Sequence, residues 1–344
     1  MKKSIFSFFL ALMTVQALAW TSPVNIPDVG NARLRIAGQN AQNYLMDLTA
    51  SNSSCTTEEE FKEKTDKMAN VFLALQADIV AICEVEENDY VLGYICDAMN
   101  SIYGEDVYTF VKDDMNASQQ SGGYMPLKSG YIYRKDKVTP SGSNTSPYTT
   151  WNYKPRMRIQ AFKENSTGEL FTLSMNHFKA KDSSADQAES VRIENANKLL
   201  TALKKINNDP DILVMGDLNA TSEEEPIQLL INAGYAEQLE RFDSNTYSYI
   251  YRGVRSLIDH VLANGSMADQ ITGAYTYHIN TSGGISYKYS DHDAYVIGMN
   301  LGEKSSEGTQ NIEVHPAARK LLINGQLVIE INGQIYSVSG LRIQ

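Results

Sequence analysis

The run Ile212-Leu213-Val214-Met215, followed at once by Gly216-Asp217-Leu218-Asn219, constrains this chain more than any other stretch. A short apolar run that stops at a glycine reads as a strand, and Asp217 and Asn219, two apart, share one face as the chain leaves it. An unpaired carboxylate is costly to bury in such a place. It demands hydrogen bonds, a positive partner or a metal.

The arrangement recurs. Leu34 to Ile36, Asp78 to Val85, Gly130 to Arg134, Phe171 to Met175, Leu257 to Leu262 and Ala294 to Met299 also read as strands. Period two puts Asn40 on a face with Leu34 and Ile36, Glu84 with Val80 and Ile82, and His177 with Phe171, Leu173 and Met175. In each case a polar group ends an inward apolar row. Asp259 interrupts the run from Leu257 to Leu262, and Asp291-His292 stands just before the last strand. Between strands, Phe61, Thr65, Met68, Phe72 and Leu75 repeat at helical spacing behind a Thr57-x-x-Glu60 capping box, and Ala188, Val191, Leu199 and Leu203 mark a second helix. The chain is therefore expected to be α/β, with helices covering sheets. Polar stretches at 113 to 123 and 139 to 150 lack periodicity and read as surface loops.

With 344 residues, 42% apolar and 21% charged, the chain can bury a large core, which excludes disorder, collagen-like repeats and a disulfide-dense miniprotein. Its formal net charge of -11 argues against holding polyanions by basic charge alone. Any anionic substrate needs a local cation, and the oxygen-rich set of acids suits Mg²⁺ or Mn²⁺. Lys2 and Lys3, the apolar run from Ile5 to about Val15 and the small residues of Ala17-Leu18-Ala19 read as a Sec signal cut after Ala19. That run is shorter than the ~20 residues a membrane span needs. The mature protein is expected to be exported, soluble and monomeric, with a net charge of -13 once the two lysines are lost. Cys55 and Cys96 are available for pairing in an oxidising compartment, whereas Cys83, within an apolar run, reads as a buried small hydrophobe. Residues 1–19 are thus expected to be a signal peptide, 30–301 the main α/β domain, 302–317 a linker, and 318–344 a β tail broken at Asn324-Gly325 and Asn332-Gly333.

Each of these residues has an ordinary structural explanation taken singly: Asn40 and Asn219 as turn residues, Glu84 and Asp259 as satisfied strand-end acids, His177 as a core histidine. The joint pattern points further. In order, Gly38-Gln39-Asn40-Ala41-Gln42-Asn43, Ile82-Cys83-Glu84-Val85, Met175-Asn176-His177-Phe178-Lys179-Ala180-Lys181, Gly216-Asp217-Leu218-Asn219, Leu257-Ile258-Asp259-His260 and Ser290-Asp291-His292 resemble the endonuclease/exonuclease/phosphatase (DNase I-like) superfamily. The block from Asn176 to Lys181, followed by Arg192, is most similar to secreted bacterial nucleases within it.

The resemblance implies a four-layer α/β sandwich: two packed mixed β-sheets flanked by helices, with the site at one sheet edge. By matching position, Glu84 is expected to be the main metal carboxylate, with Asn40 a metal or phosphate contact and Asp291 near the metal. Asp217 would orient the attacking water and Asn219 hold a phosphate oxygen. His292, paired with Asp259, would stabilise or protonate phosphoryl oxygens, and His177 would contact the scissile phosphate. Asp113 or Asp114 is the expected carboxylate partner of His177.

If the strand is regular, Asp259 and His260 point to opposite faces, so the resemblance selects Asp259 for the site and leaves His260 structural. His278 and His315 match nothing and default to the surface. Arg156, Arg158, Lys179 and Lys181 read either as substrate-groove cations or as ordinary surface charge. The C-terminal segment resembles sorting tails of exported proteins in Bacteroidetes-type bacteria, with a plain terminal hairpin as the other reading. Three functions follow: a secreted Mg²⁺-dependent nuclease acting on DNA and also RNA, with Mn²⁺ or Ca²⁺ as other cations; a phosphoesterase of the same fold acting on phospholipid head groups or sugar phosphates; and a non-catalytic surface binding protein. The intact set of acids, Asn and His disfavours the third.

Overall fold

The computed structural model of the chain describes residues 27–88, 90–112, 123–147, 156–181, 185–206, 210–282 and 287–302, and three strands between 319 and 337. The expected signal peptide, nearly all of the linker, His315, Asp113 and Asp114 lie outside the described residues. So does almost all of the expected loop at 113 to 123.

In chain order the first half comprises β1 (Leu34–Tyr44), α1 (Glu58–Ala74), β2 (Ile79–Glu86), α2 (Tyr90–Tyr103), β3 (Tyr108–Phe110), β4 (Leu127–Arg134), β5 (Val138–Thr145), β6 (Met157–Glu164) and β7 (Leu170–His177). The second comprises α3 (Ala185–Leu203), β8 (Ile212–Asp217), α4 (Glu225–Asn232), β9 (Tyr235–Glu237), α5 (Leu239–Phe242), β10 (Tyr249–Tyr251), β11 (Val254–Ser256), β12 (Asp259–Asn264), α6 (Gly265–Ala268), β13 (Ile271–Tyr277) and β14 (Ala294–Met299). Strands β15 (Arg319–Ile323), β16 (Gln326–Ile331) and β17 (Gln334–Ser337) form a three-stranded antiparallel sheet. Asn324-Gly325 and Asn332-Gly333, where turns were expected, lie outside the described residues.

Two six-stranded mixed sheets carry the fold. The first runs β13-β14-β1-β2-β4-β3 and the second β5-β6-β7-β8-β12-β9, with β1/β2 and β7/β8 the parallel pairs. Three apolar clusters cement four layers. Met68 and Phe72 of α1, its C-cap Leu75, and Val91, Leu92 and Ile95 of α2 pack on Val80 and Ile82 of the first sheet. Leu34, Ile36, Ile79 and Ala81 meet Leu173, Met175, Leu213 and Met215 between the sheets. Leu199 of α3 and Ile227 and Leu230 of α4 cover Val214 and Leu262 on the far side. Burying each such side chain contributes roughly 1.5–3 kcal/mol, so the expected sandwich is stable without cross-links. Cys55, Cys83 and Cys96 are all buried and unpaired, so the suggested Cys55–Cys96 bridge is not formed.

Local signals account for the helix starts. Thr57 caps α1 by accepting the Glu60 N–H at 3.2 Å, and Glu58, Glu59 and Glu60 crowd the positive end of the helix dipole. The return half of the capping box is shifted by one: the Glu60 carboxylate takes the N–H of Thr56, at 2.7 Å. One expected loop is instead a strand, since residues 138–145 pair with β6 as edge strand β5. Its Ser, Asn and Thr side chains are mostly solvent-facing, so no apolar alternation marks it. Among the described residues no helix is long and apolar enough to cross a membrane.

Candidate active site

Register alone builds half of the site. In the parallel β7/β8 pair His177 lies opposite Asp217, and in the antiparallel β8/β12 pair Asp217 lies opposite Asp259. Three neighbouring strands thus end in one polar row on the inter-sheet face, continuing the rows of Met175, Met215 and Val261. Gly216 makes the row fit: its φ is +123°, and a Cβ there would stand 2.0 Å from the Asn176 carbonyl oxygen. Past the strand, Asn219 adopts φ +51° and its N–H donates to Asp217 Oδ1 at 2.9 Å, while its side-chain amide donates to the Phe178 carbonyl at 3.2 Å.

The first sheet closes the site from the other side. His292 places Nδ1 2.6 Å from Asp259 Oδ2 and Nε2 3.7 Å from Asp217 Oδ2. Asn40 donates its amide to both Asp217 Oδ2, at 2.9 Å, and Glu84 Oε1, at 3.0 Å, and its own oxygen accepts the Gln42 N–H. In this arrangement Asn40 holds the two acids at a fixed spacing. Glu84 reaches the site by a different route from the one period two suggests. Val80 and Ile82 face the helices, not the other sheet, and Glu84 would follow them. A register shift between Ile82 and Val85 and a φ of +57° at Glu84 turn its carboxylate to the opposite face. There it accepts from the Asn43 N–H at 2.9 Å and lies 3.3 Å from His177 Nε2.

The two histidines are held in opposite states. Burial drives the His177 pKa well below its usual range, and the neighbouring Arg156 guanidinium adds to the effect. Arg156 Nη1 stands 2.8 Å from His177 Nδ1 and can only donate, so neutral His177 carries its proton on Nε2, facing Glu84. Burial also opposes charge on His292, but the carboxylates of Asp259 and Asp217 outweigh it and raise the pKa well above its usual range. His292 therefore donates to Asp259 and presents a second N–H inward. At 3.8 and 3.7 Å from Asp217, the inward Nε2 atoms of His177 and His292 lie beyond hydrogen-bond reach of that carboxylate. Both N–H groups can therefore serve a phosphoryl oxygen. Asp217 itself is pushed up to about 7 by burial, with Asp259 and Glu84 adding to the rise and His292 opposing it.

The remaining expected residues divide. Asp291 is half-buried beside the site: burial raises its carboxyl, His292 opposes the shift and Glu84 adds to it. It belongs to neither compact acid–histidine group, Glu84–His177–Asp217 or Asp217–Asp259–His292. Arg156 is buried and sets the His177 tautomer, whereas Arg158 is buried with Nη1 on Ser146 Oγ at 2.9 Å, neither being ordinary surface charge. The half-buried Lys179 follows β7, its carbonyl accepting from Arg192, and Lys181 pairs with Glu224 at 2.6 Å. His260 points away from the site as parity requires. His278 is not a free surface residue: it bonds Asp293 at 2.9 Å and stacks on Tyr247 at 4.0 Å.

Sequence reasoning missed Tyr249, whose ring lies 4.7 Å from that of His292, and Ser248, whose hydroxyl accepts the Asp259 N–H at 3.0 Å. It also missed Lys64, buried in α1, which donates to the Gln42 carbonyl at 2.9 Å and to Ser54 Oγ at 2.7 Å. Helical spacing put Thr65 in the core and gave no sign that its neighbour is buried too.

Two mixed sheets that close three acids and two histidines around one edge define a metal-dependent phosphoester hydrolase. The Endonuclease/Exonuclease/phosphatase family profile matches residues 52–292, and the chain belongs to that family. Similar solved structures include the human Nocturnin catalytic domain with bound sulfate (17% identity, 78% of this chain and 94% of that one, TM-score 0.55). An endonuclease/exonuclease/phosphatase from Bacteroides vulgatus is comparable (15%, 78% and 98%, 0.55). So is a 3′ phosphatase from Neisseria bound to a product DNA hairpin (12%, 78% and 99%, 0.55). Among curated proteins no sequence matches.

The donor set fits the divalent cation that the family uses. Its groups are hard carboxylates, the charges of Asp259 and Glu84 help to raise the Asp217 pKa, and Asp259 Oδ1 is buried with no hydrogen-bond partner among the described residues. A cation relieves that excess of negative charge.

Proposed function

We propose that the chain is an exported nuclease that hydrolyses phosphodiester bonds of DNA, with RNA as a further substrate and Mg²⁺ as its working cation. One observation carries this reading: Asp217 Oδ2 is approached together by Asn40, His177 and His292, at 2.9, 3.8 and 3.7 Å. The two Nε2–H groups converge on this carboxylate without being bonded to it, so they are left to serve phosphoryl oxygens beside it. The Asp217 carboxylate orients the attacking water. His292, fixed by Asp259, directs its Nε2–H to a non-bridging oxygen, and Asn219 holds another. His177, fixed by Arg156, directs its Nε2–H to the scissile phosphate, which Arg156 and Lys179 help to position. A bound divalent cation, held by Glu84 with Asp291 and Asn40 alongside, supplies charge neutralisation of the phosphoryl oxygens. Pre-aimed donors of this kind contribute most of the stabilisation of the developing charge.

Export is supported by Lys2, Lys3, the apolar run that follows and Ala17-Leu18-Ala19. The likeness of Asn176 to Lys181 to secreted bacterial nucleases supports the nucleic-acid reading. Purified protein incubated with plasmid DNA and Mg²⁺ tests it, with and without chelator, beside Asp217→Ala and His292→Ala. Cleavage by wild type alone, abolished by chelator, is expected. Intact DNA together with phosphate release from sugar phosphates or lipid head groups moves the chain to the phosphoesterase reading.

A further inference from the structure

The hairpin β10–β11 leans over the site and is chemically unlike the rest of the chain. Tyr249 packs on the catalytic His292 at 4.7 Å and forms an isolated bridge with it. Tyr251, two residues on and on the same face, has its ring parallel to that of Tyr249 within 8°, at 6.5 Å between centroids. The Arg252 guanidinium lies over Tyr251 at 5.2 Å, at a φ of +50° that makes it the corner of the turn. His292, Tyr249, Tyr251 and Arg252 thus form a continuous ladder from the reacting centre to solvent. Its outer end is open: Tyr251 is 57% exposed. In a chain of net charge -11, the stretch from Ser244 to Ile258 holds two arginines and no acid.

An exposed aromatic costs solvation free energy that a core position would recover. Here the ring is held in place by its contacts with Tyr249 and Arg252, not by burial, and more than half of it remains open to a ligand. A rigid aromatic face next to a guanidinium, continuous with a phosphodiester site, suits a ligand that alternates planar bases with phosphates. A base can reach such a face only when it is unstacked from its neighbours.

We propose that β10–β11 is a stacking arm, on which Tyr251 takes the base flanking the scissile phosphate and Arg252 the next phosphate. The arm therefore selects single-stranded or frayed nucleic acid over intact duplex. This rests on the nuclease reading and deepens it.

The test compares kcat/KM in Mg²⁺ on a single-stranded thymidine oligomer and on the same backbone carrying tetrahydrofuran residues in place of every base. The variants are Tyr251→Ala, Tyr251→Phe and Arg252→Ala. Wild type is expected to favour the base-bearing strand. Tyr251→Ala should lose about tenfold on that strand and nothing on the base-less one, since one stacked base is typically worth that much. Tyr251→Phe should restore the preference, and Arg252→Ala should weaken both strands alike. Equal loss on both strands for Tyr251→Ala, or no loss on either, overturns the arm. A matching loss on sugar phosphates gives the face to a carbohydrate ring and overturns it too.

The arm is also read without turnover, from fluorescence quenching of a 2-aminopurine base in a single-stranded oligomer. Quenching that disappears in Tyr251→Ala supports the arm even if wild type cuts no strand, in which case the nuclease reading alone fails. Absent quenching, or quenching that the variant leaves unchanged, overturns the arm by itself.

Discussion

The two sheets contribute to one site by different means. At the β7–β8–β12 edge, His177, Asp217 and Asp259 stand at paired register positions of unbroken ladders. At the β1–β2 edge, Asn40 is the last in-register residue, opposite Cys83, and Glu84 is placed by departures from regular strand: φ of +49°, +48° and +57° at Gln42, Asn43 and Glu84, with register shifts on both sides of β2. Groups that must keep fixed mutual distances during proton and charge movement sit on the stiff ladders. Glu84, the carboxylate proposed to meet the cation, sits on a bulged end, held by single hydrogen bonds from Asn40 and Asn43. Lys64, bonded to the Gln42 carbonyl, and Ser54, bonded to the Asn43 carbonyl at 3.0 Å, pin that bulge from behind.

The largest expected effect lies on the regular side. Asp217→Asn should lower kcat/KM on DNA by about 10³ or more, because the water-orienting charge and two N–H alignments depend on it. The same variant, measured in chelator, should raise Tm by a few degrees, since it removes a buried charge crowded by Asp259 and Glu84. A fall in both activity and Tm would mean that Asp217 is structural. Next comes Gly216→Ala, expected to cost at least about 3 kcal/mol in urea unfolding. Its Cβ meets a backbone oxygen at 2.0 Å, and its φ of +123° suits glycine only. A mild effect would show that the ladder is as yielding as the bulged edge.

The contrast also decides what was legible in the sequence. Parity reads β7, β8 and β12 correctly because those strands are regular: it carries His177 and Asp217 at the ends of apolar rows and separates Asp259 from His260, leaving the resemblance to choose Asp259. Parity misassigned Glu84, because a left-handed residue reverses the face and an apolar pattern carries no sign of φ. Resemblance supplied Glu84 where spacing failed. The edge strand β5 and helix α2 went unread for opposite reasons: β5 is too polar to show alternation, and α2 is apolar on most of its circumference. Lys64, Ser248 and Tyr249 act through contacts far apart in sequence, which no local pattern encodes.

On the bulged side the effects should be smaller and should fall on the cation. Asn43→Val keeps the N–H but puts a β-branched residue at φ +48°, costing about 1–2 kcal/mol of strain. The expected result is a Mg²⁺ activation midpoint shifted upward several-fold with kcat at saturating Mg²⁺ little changed. Asn43→Gly removes the strain and should leave the midpoint where it is. If Asn43→Val instead lowers kcat at saturating Mg²⁺, the bulge positions the reacting groups as well, and the division of labour between the sheets fails.

The smallest effect tests the far face of the regular ladder. His260 is buried next to Asp259 in sequence, but its Nδ1 lies 3.1 Å from Glu237 Oε2 and its Nε2 2.7 Å from the Ala220 carbonyl oxygen. Both partners only accept, so the ring must donate twice, which only the imidazolium can do. Burial opposes that charge, yet the hydrogen bond and charge of Glu237 and the Ala220 carbonyl outweigh it, and the His260 pKa is raised above 6.5. A raised folded-state pKa gives stability that is fully present below the unfolded-state value of about 6.5 and drains away as pH rises through the folded-state value. Urea unfolding from pH 5.5 to 9 should therefore show wild type losing about 1 kcal/mol across the alkaline part, on the scale of one net hydrogen bond. His260→Gln should be less stable than wild type at pH 5.5, with that gap closing by about 1 kcal/mol toward pH 9, the slope common to both coming from Asp217 and His292. Its kcat/KM should follow wild type throughout, because the face it occupies is not the face that reacts. A changed pH–rate profile in His260→Gln would show that the two faces of β12 are coupled.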